Sequence, residues 1–267
     1  MSHDPILLLD RDMDEVQVHP FAAGEVAYFS RRSPERETAN EDAAAILPTP
    51  NGGVLIVADG AGGARGGAQA SSTTVYEMMA RLEQVAGDGT LREPILDALE
   101  SANREVMTLG IGAATTAAVA EIGPESVRSY HVGDSGLLVT GQKGKRKLQS
   151  IAHSPIGYAV ESGLLSEDEA LFHDERHLVS NVVGMADMRI ELGPRLELSA
   201  RDSVLLASDG LFDNLHTREI VDLLRRGSLF ESAEALIDLA RRRMAHATHG
   251  TPCKPDDLTL LVYRPNA

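Results

Sequence analysis

Four aspartates, Asp59, Asp134, Asp209 and Asp256, each stand at the end of a short apolar run. Asp59 closes Val54-Leu55-Ile56-Val57-Ala58 and opens onto Gly60, Gly62 and Gly63; Asp134 follows Gly133; Asp209 follows Val204 to Ser208 and precedes Gly210; Asp256 and Asp257 precede Leu258 to Tyr263. Apolar, β-branched-rich runs bounded by glycine read as buried strands, so each carboxylate projects from a rigid strand end. Carboxylates gathered at a sheet edge repel one another and are stable together only with hard cations between them. Oxygen ligands point to Mg²⁺ or Mn²⁺, and no Cys/His pair at ligand spacing argues for zinc. Spacing leaves open whether the four converge, because each turn can equally be a solvated connection.

Other residues carry weaker chemical signals. Ile6 to Leu9 followed by Asp10-Arg11-Asp12 resembles the nucleophile motif of haloacid-dehalogenase-type phosphatases, but that family wants Thr or Val where Asp14 stands. Arg31, Arg32 and Arg36 precede Asn40-Glu41-Asp42, either as a solvated ion-pair cluster or as an oxyanion clamp beside metal-binding acids. Cys253 is followed by Lys254-Pro255 and has no Arg six positions on, which excludes cysteine-phosphatase chemistry. Ser72, Thr73, Thr115 and Thr116 read as packing or turn hydroxyls, Met78-Met79 as helix core, and His153 and His177 as structural or, less readily, as proton donors.

Composition narrows the classes. A formal net charge of -15 argues against nucleic acid and anionic membrane surfaces. The basic runs Lys143 to Lys147 and Arg241 to Arg243 are short, a hairpin turn and a solvated helix face. One cysteine forms no internal disulfide and suits a reducing cytosol. The opening residues lack a basic region followed by an apolar core, so no signal peptide is expected. No apolar stretch approaches the ~20 residues of a membrane span. A soluble, cytoplasmic, monomeric chain is expected, with a single domain over residues 1–267.

The elements that must place these residues alternate in blocks. Strands are expected at Ile6 to Leu9, Glu25 to Phe29, Ala43 to Leu47 and Val54 to Ala58, then helices at Gly67 to Val85 and Arg92 to Leu109, the second capped by Thr90 with Glu93. Ala114 to Ile122, Ser126 to Val132 and Gly136 to Thr140 follow, with connections so short that antiparallel pairing is expected. His153 to Asn181 holds two short helical pieces broken at Gly163, the pattern of a flap beside a site. A strand into Asp209, helices Thr217 to Arg226 and Leu229 to Ala247, and a last strand from Leu258 complete the chain.

Taken in order, Asn40-Glu41-Asp42, Val57-Ala58-Asp59-Gly60-Ala61-Gly62-Gly63, Ala114-Thr115-Thr116-Ala117, Val132-Gly133-Asp134-Ser135-Gly136, Ala152-His153-Ser154, Ser180-Asn181-Val182-Val183-Gly184, Ala207-Ser208-Asp209-Gly210-Leu211-Phe212-Asp213 and Asp256-Asp257-Leu258-Thr259 resemble the PP2C-type (PPM family) metal-dependent serine/threonine phosphatases in their bacterial form, from about Gly24 to Arg264. The resemblance implies an α+β, four-layer α-β-β-α sandwich: two antiparallel sheets flanked by helix pairs, with a small flap at about 153–181. It implies two or three Mg²⁺ or Mn²⁺ ions, with Asp59, the Gly60 carbonyl, Asp209 and Asp256 at the first, Glu41 and Asp42 holding waters at the second, and Asp134 at a weaker third. It further implies that a metal-bridging hydroxide attacks phosphorus directly, on phosphoserine or phosphothreonine of a protein substrate, opposing a serine/threonine kinase. Asp59, Asp209 and Asp256 would then be catalytic. The family's phosphate-binding Arg falls at position 37, a Glu here, and Arg36 one step away is the candidate clamp. Ala61 replaces the His of eukaryotic members, Asn181 stands where many relatives have Arg, and Asp257 where most have Asn. A PP2C fold kept as a binding or sensing module with little catalysis, and the dehalogenase-type reading on Asp10, are the alternatives.

Overall fold

A computed structural model describes residues 4–35, 37–61, 66–85 and 90–266. Its elements in chain order begin with β1 (Ile6–Leu9), β2 (Gln17–Phe21), β3 (Gly24–Arg31), β4 (Asp42–Thr49), β5 (Gly52–Asp59), α1 (Gly67–Val85) and α2 (Arg92–Thr108). There follow β6 (Ala117–Ile122), β7 (Ser126–Val132), β8 (Gly136–Thr140), β9 (Arg146–Gln149), α3 (Pro155–Glu161), α4 (Glu167–Ala170), β10 (Glu191–Leu192) and β11 (Leu196–Glu197). β12 (Ser203–Ala207), α5 (Asp209–Phe212), α6 (Thr217–Leu224), α7 (Leu229–Ala245) and β13 (Leu258–Pro265) close the chain.

The strands form two antiparallel sheets. One runs β1-β4-β5-β6-β7-β10 with β11 also on β7, and the other runs β2-β3-β13-β12-β8-β9. Their central strands are buried on both faces, which is why they read as continuous apolar runs. Side chains alternate between faces. Val54, Ile56 and Ala58 of β5 pack with Val75, Met78 and Leu82 of α1 and with Ile95 and Leu99 of α2. The intervening Leu55 and Val57 meet Leu206 and Leu261 of the second sheet in the central layer. Beyond that sheet, Leu205, Leu260 and Val262 pack against Ile220 and Leu224 of α6 and Leu236 and Ile237 of α7. The result is the expected four-layer sandwich, helices, sheet, sheet, helices.

Three local expectations are corrected. Thr90 does not cap α2: its N-cap is Leu91, with no side-chain cap bond. The strand before Ile122 starts at Ala117, because Thr115 is drawn out to bridge Gly60 and Val183. The Gly133–Ser135 turn joins no hairpin, since β7 and β8 belong to different sheets. Gly133 adopts φ 99°, and the chain crosses there from one layer to the other. That crossing places Asp134 at the seam between the sheets.

Candidate metal centre

The expected acids Asp59, Asp134, Asp209 and Asp256 come to this seam from strand ends or from the turns beside them. Asp42 opens β4 and Asp59 closes β5, and the two are directly paired in the antiparallel register. Like charges opposite each other across a strand pair are destabilising, so the pairing requires a cation or a proton. From the second sheet, Asp209 follows β12 at the start of α5, and Asp256 lies two residues before β13. Ser208 links the layers: its Oγ donates to Asp42 Oδ2 at 2.8 Å and accepts from Thr259 N at 3.1 Å. Gly210 leaves no room for a side chain, because a Cβ there would lie 1.9 Å from the Asp257 carbonyl oxygen.

Electrostatics report the convergence. Burial pushes the Asp59 carboxyl well above the usual carboxylate range, and the carboxylates of Asp42, Asp209, Asp256 and Asp134 push it further. Asp42 is raised well above that range by burial first and then by Asp257. Asp134 is raised to about 8 by burial and by Asp209 and Asp213, and Asp213 to about 6 by burial and by Asp209. Asp42 Oδ1 and Asp209 Oδ1 are buried and have no hydrogen-bond partner among the described residues. Buried acceptors left in that state are costly. Orphaned carboxylate oxygens in an all-oxygen group are the donor set that a hard divalent ion fits.

Hydroxyls and amides hold the acids in place. Asp59 N donates to Thr116 Oγ1 at 3.1 Å, and Thr115 Oγ1 donates to Asp59 O at 2.7 Å. Thr116 Oγ1 also pairs with Ser135 Oγ at 2.6 Å, beside Asp134. These two threonines therefore position the site, a role beyond the packing expected of them. Gly60 N donates to Glu41 O at 3.1 Å, which draws the Asn40-Glu41-Asp42 stretch against the Asp59 turn. Asp257 accepts from Ser33 N and from Glu41 N, each at 2.6 Å, and so clasps both ends of the loop that carries Arg36. Arg36 itself lies outside the described residues. Arg31 and Arg32 are no clamp: they pair with Asp12 and Asp14 at the surface. With Asp12 engaged there and β1 at an antiparallel sheet edge, the Asp10 reading has no support.

Two residues of the cluster were missed by sequence reasoning. Lys254 Nζ contacts Asp209 Oδ2, lies 2.8 Å from Asp213 Oδ2 and 3.2 Å from Asp256 Oδ2. Burial alone would lower its basicity, yet these three carboxylates outweigh burial and hold the ammonium above the ordinary lysine range. Asp213, four residues after Asp209 across one helical turn, carried the only available signal, an i,i+4 pair of acids.

The His153–Asn181 segment contains α3 and α4 and borders a cavity of about 480 Å³ that reaches Asp134, Asp209 and Asp213. His153 fixes its base: His153 Nδ1 accepts from Gly133 N at 3.1 Å and faces Asn181 Nδ2 at 2.7 Å. With Nδ1 accepting, the ring proton sits on Nε2, 3.2 Å from Glu191 Oε2. His131, His153 and Glu191 bring ligand-type atoms within 4.8 Å of one another, but that tautomer turns a proton toward the shared space, and the group serves as a hydrogen-bonded anchor.

Comparison with known proteins identifies the family and the fold. The protein phosphatase 2C family model covers residues 32–246. A Streptococcus pyogenes protein named as protein phosphatase 2C-type is 31% identical over 201 residues, 71% of this chain and 80% of its own length. The structure of the Staphylococcus aureus serine/threonine phosphatase Stp1 superposes with a TM-score of 0.77 at 25% identity, covering 93% of this chain and 98% of the other. That of the catalytic domain of the serine/threonine phosphatase PstP with two manganese ions gives 0.72 at 25% identity, covering 91% and 98%. The chain belongs to the protein phosphatase 2C family.

Proposed function

We propose that this serine/threonine protein phosphatase cleaves its phosphate esters at the seam between the two sheets, where Asp42, Asp59, Asp134, Asp209 and Asp256 share one electrostatic neighbourhood. The observation that carries the reading is the pair of buried oxygens on Asp42 and Asp209 that have no partner among the described residues. Asp59, Asp209, Asp256 and the Gly60 carbonyl would hold one divalent ion, Mg²⁺ or Mn²⁺, with Glu41 and Asp42 beside a second and Asp134 on the side of a third. When bound, such ions lower the pKa of water toward neutrality and offset charge on phosphoryl oxygens. Asp59, paired with Asp42 across β4 and β5, lies between the ligand groups of the two sheets. Thr115 and Thr116 fix its backbone. Asp257 holds Ser33 and Glu41, on either side in sequence of Arg36, the candidate for the substrate phosphate.

The substrate is a phosphorylated protein, and the partner in signalling is the kinase that makes it. Among the described residues no helix is long and apolar enough to cross a membrane. The lone Cys253 and the acidic balance support a monomeric, single-domain, cytoplasmic chain without nucleic-acid partners. Hydrolysis of p-nitrophenyl phosphate with Mn²⁺ present and after EDTA tests the reading: activity is expected only with the ion. Asp209→Asn is expected to lower kcat by at least about a hundredfold and to weaken Mn²⁺ binding in calorimetry. Turnover indifferent to EDTA overturns the proposal.

A further inference from the structure

The cavity of about 480 Å³ beside the flap is lined in part by acids of the metal centre, Asp134, Asp209 and Asp213. Its other charged lining residues are mostly engaged. Arg146 of β9 pairs with Glu167 of α4, Asp168 with His216, and Lys147 with Asp202. Arg176 directs its guanidinium to the carbonyls of Leu171 and Cys253, and Glu161 is exposed at the end of α3. The rest of the lining is largely apolar: Leu148 of β9, Ile156 and Val160 of α3, Leu171 after α4, and Phe212 and Leu215 at and beyond α5. Two glycines fix these walls. A Cβ at Gly136, two residues after Asp134, would lie 2.9 Å from the Phe212 ring, and one at Gly157 would lie 2.2 Å from the Ala152 carbonyl oxygen, against which α3 rests.

Leu148, Val160, Leu171 and Phe212 are only half-buried. The cavity therefore offers apolar surface that gains by covering, in the size range of about 300–1,000 Å³ usual for small-ligand sites. Tethering decides what covers it. A phosphate ester seated at Asp209 holds its own chain beside the cavity, and an extended chain advances about 3.3 Å per residue. The neighbouring side chains thus arrive at an effective concentration set by a short linker, far above that of a dilute free solute. We propose that this cavity is a specificity pocket that takes a large apolar side chain standing within about three residues of the phosphoserine or phosphothreonine. The inference rests on the metal reading above, which places the ester at Asp209, and adds which phosphorylated segments the chain prefers.

The test uses phosphothreonine peptides that differ in one flanking residue, Ala, Leu or Asp, placed in turn at each of the nearest positions on either side. The full chain with Mn²⁺ is assayed by phosphate release. At one position Leu is expected to raise kcat/KM over Ala by about tenfold or more, mainly through KM, and Asp to give no gain. Val160→Phe fills the cavity and is expected to abolish that difference while the Ala peptide is cleaved as by wild type. Wild type that cleaves Leu and Ala peptides alike at every position overturns the proposal, and so does a Leu preference that survives in Val160→Phe. If Val160→Phe does not fold, Leu171→Gln, which makes the same wall polar, takes its place with the same two outcomes. A wild-type chain that fails to hydrolyse p-nitrophenyl phosphate with Mn²⁺ removes the phosphatase reading itself, a result distinct from equal cleavage of the peptides.

Discussion

At the scale of single residues, the cost of gathering carboxylates decides what the site needs. Two unit charges about 4 Å apart at an effective dielectric of about 20 interact by roughly 4 kcal/mol. Lys254 by itself therefore cannot balance Asp42, Asp59, Asp134, Asp209, Asp213 and Asp256, and further cations or protons must supply the remainder. Holding the acids still is then the work of neutral groups. The Thr116 hydroxyl joins the Asp59 amide to Ser135, and so ties the strand-end acid of one layer to the crossing turn that bears Asp134. Thr116→Val keeps the shape and removes the hydroxyl. Leaving the Asp59 N–H without its acceptor is expected to cost about 1–3 kcal/mol in urea unfolding. Mn²⁺ affinity, read by calorimetry, should fall about 10–100-fold, and Thr116→Ser should restore both. The four strand-end aspartates were legible because each adjoins an apolar run, Asp256 at its start and the other three at its end. Lys254 was not, since nothing about a lysine two residues before Asp256 reveals that Asn214 grips its backbone from 40 positions away.

At the scale of elements, legibility followed burial. β4, β5, β12 and β13 lie between two layers, so their apolar runs are unbroken and stood out in the sequence. β2 carries exposed His19 and Pro20 and survives only as an edge strand, where a missing N–H is tolerated. β9 is another edge, polar along Arg146 to Gln149, and its signal was hidden in a basic turn. The sheet switch at Gly133 was invisible because a short loop is compatible with a hairpin and only the packing of both layers forbids one. The flap segment is tied to the body by Arg176, which donates to Cys253 O at 3.0 Å and within the flap to Leu171 O at 2.7 Å, by Asp168 with His216 at 2.6 Å, and by Glu167 with Arg146. Arg176→Ala removes the first two. Hydrogen bonds from a charged donor contribute about 1.5–3 kcal/mol. Exchange protection at the amides of Phe172, His173 and Arg176 should therefore drop by about tenfold or more, while that of β5 and β13 is unchanged. An equal loss in the core strands would show that the flap opens only with the whole fold.

At the scale of the whole molecule, the two sheets end their acid-bearing strands at a common seam, and the stability of the fold is coupled to what neutralises them. Asp134 at about 8 and Asp213 at about 6, with Asp42 and Asp59 also raised, stand above the ~3.9 of a free aspartate. Between those values the folded chain binds more protons than the unfolded one. Stability must then fall as pH rises: the contribution is fully present below about pH 4, and is lost as pH passes about 6 for Asp213 and about 8 for Asp134. In EDTA, the melting temperature is accordingly expected to decline from about pH 5 to about pH 8, opposite to the usual behaviour of proteins whose carboxylates are paired. A divalent ion that binds the ionised acids of the native state alone adds stability in proportion to the logarithm of its free concentration over Kd. Saturating Mg²⁺ should therefore lift the curve most at the alkaline end and flatten the decline. Melting followed by circular dichroism with and without Mg²⁺ measures both slopes. A curve in EDTA that is flat or rises over this range would mean that the acids carry compensating charge other than Lys254, and that the seam does not depend on a bound ion for its stability.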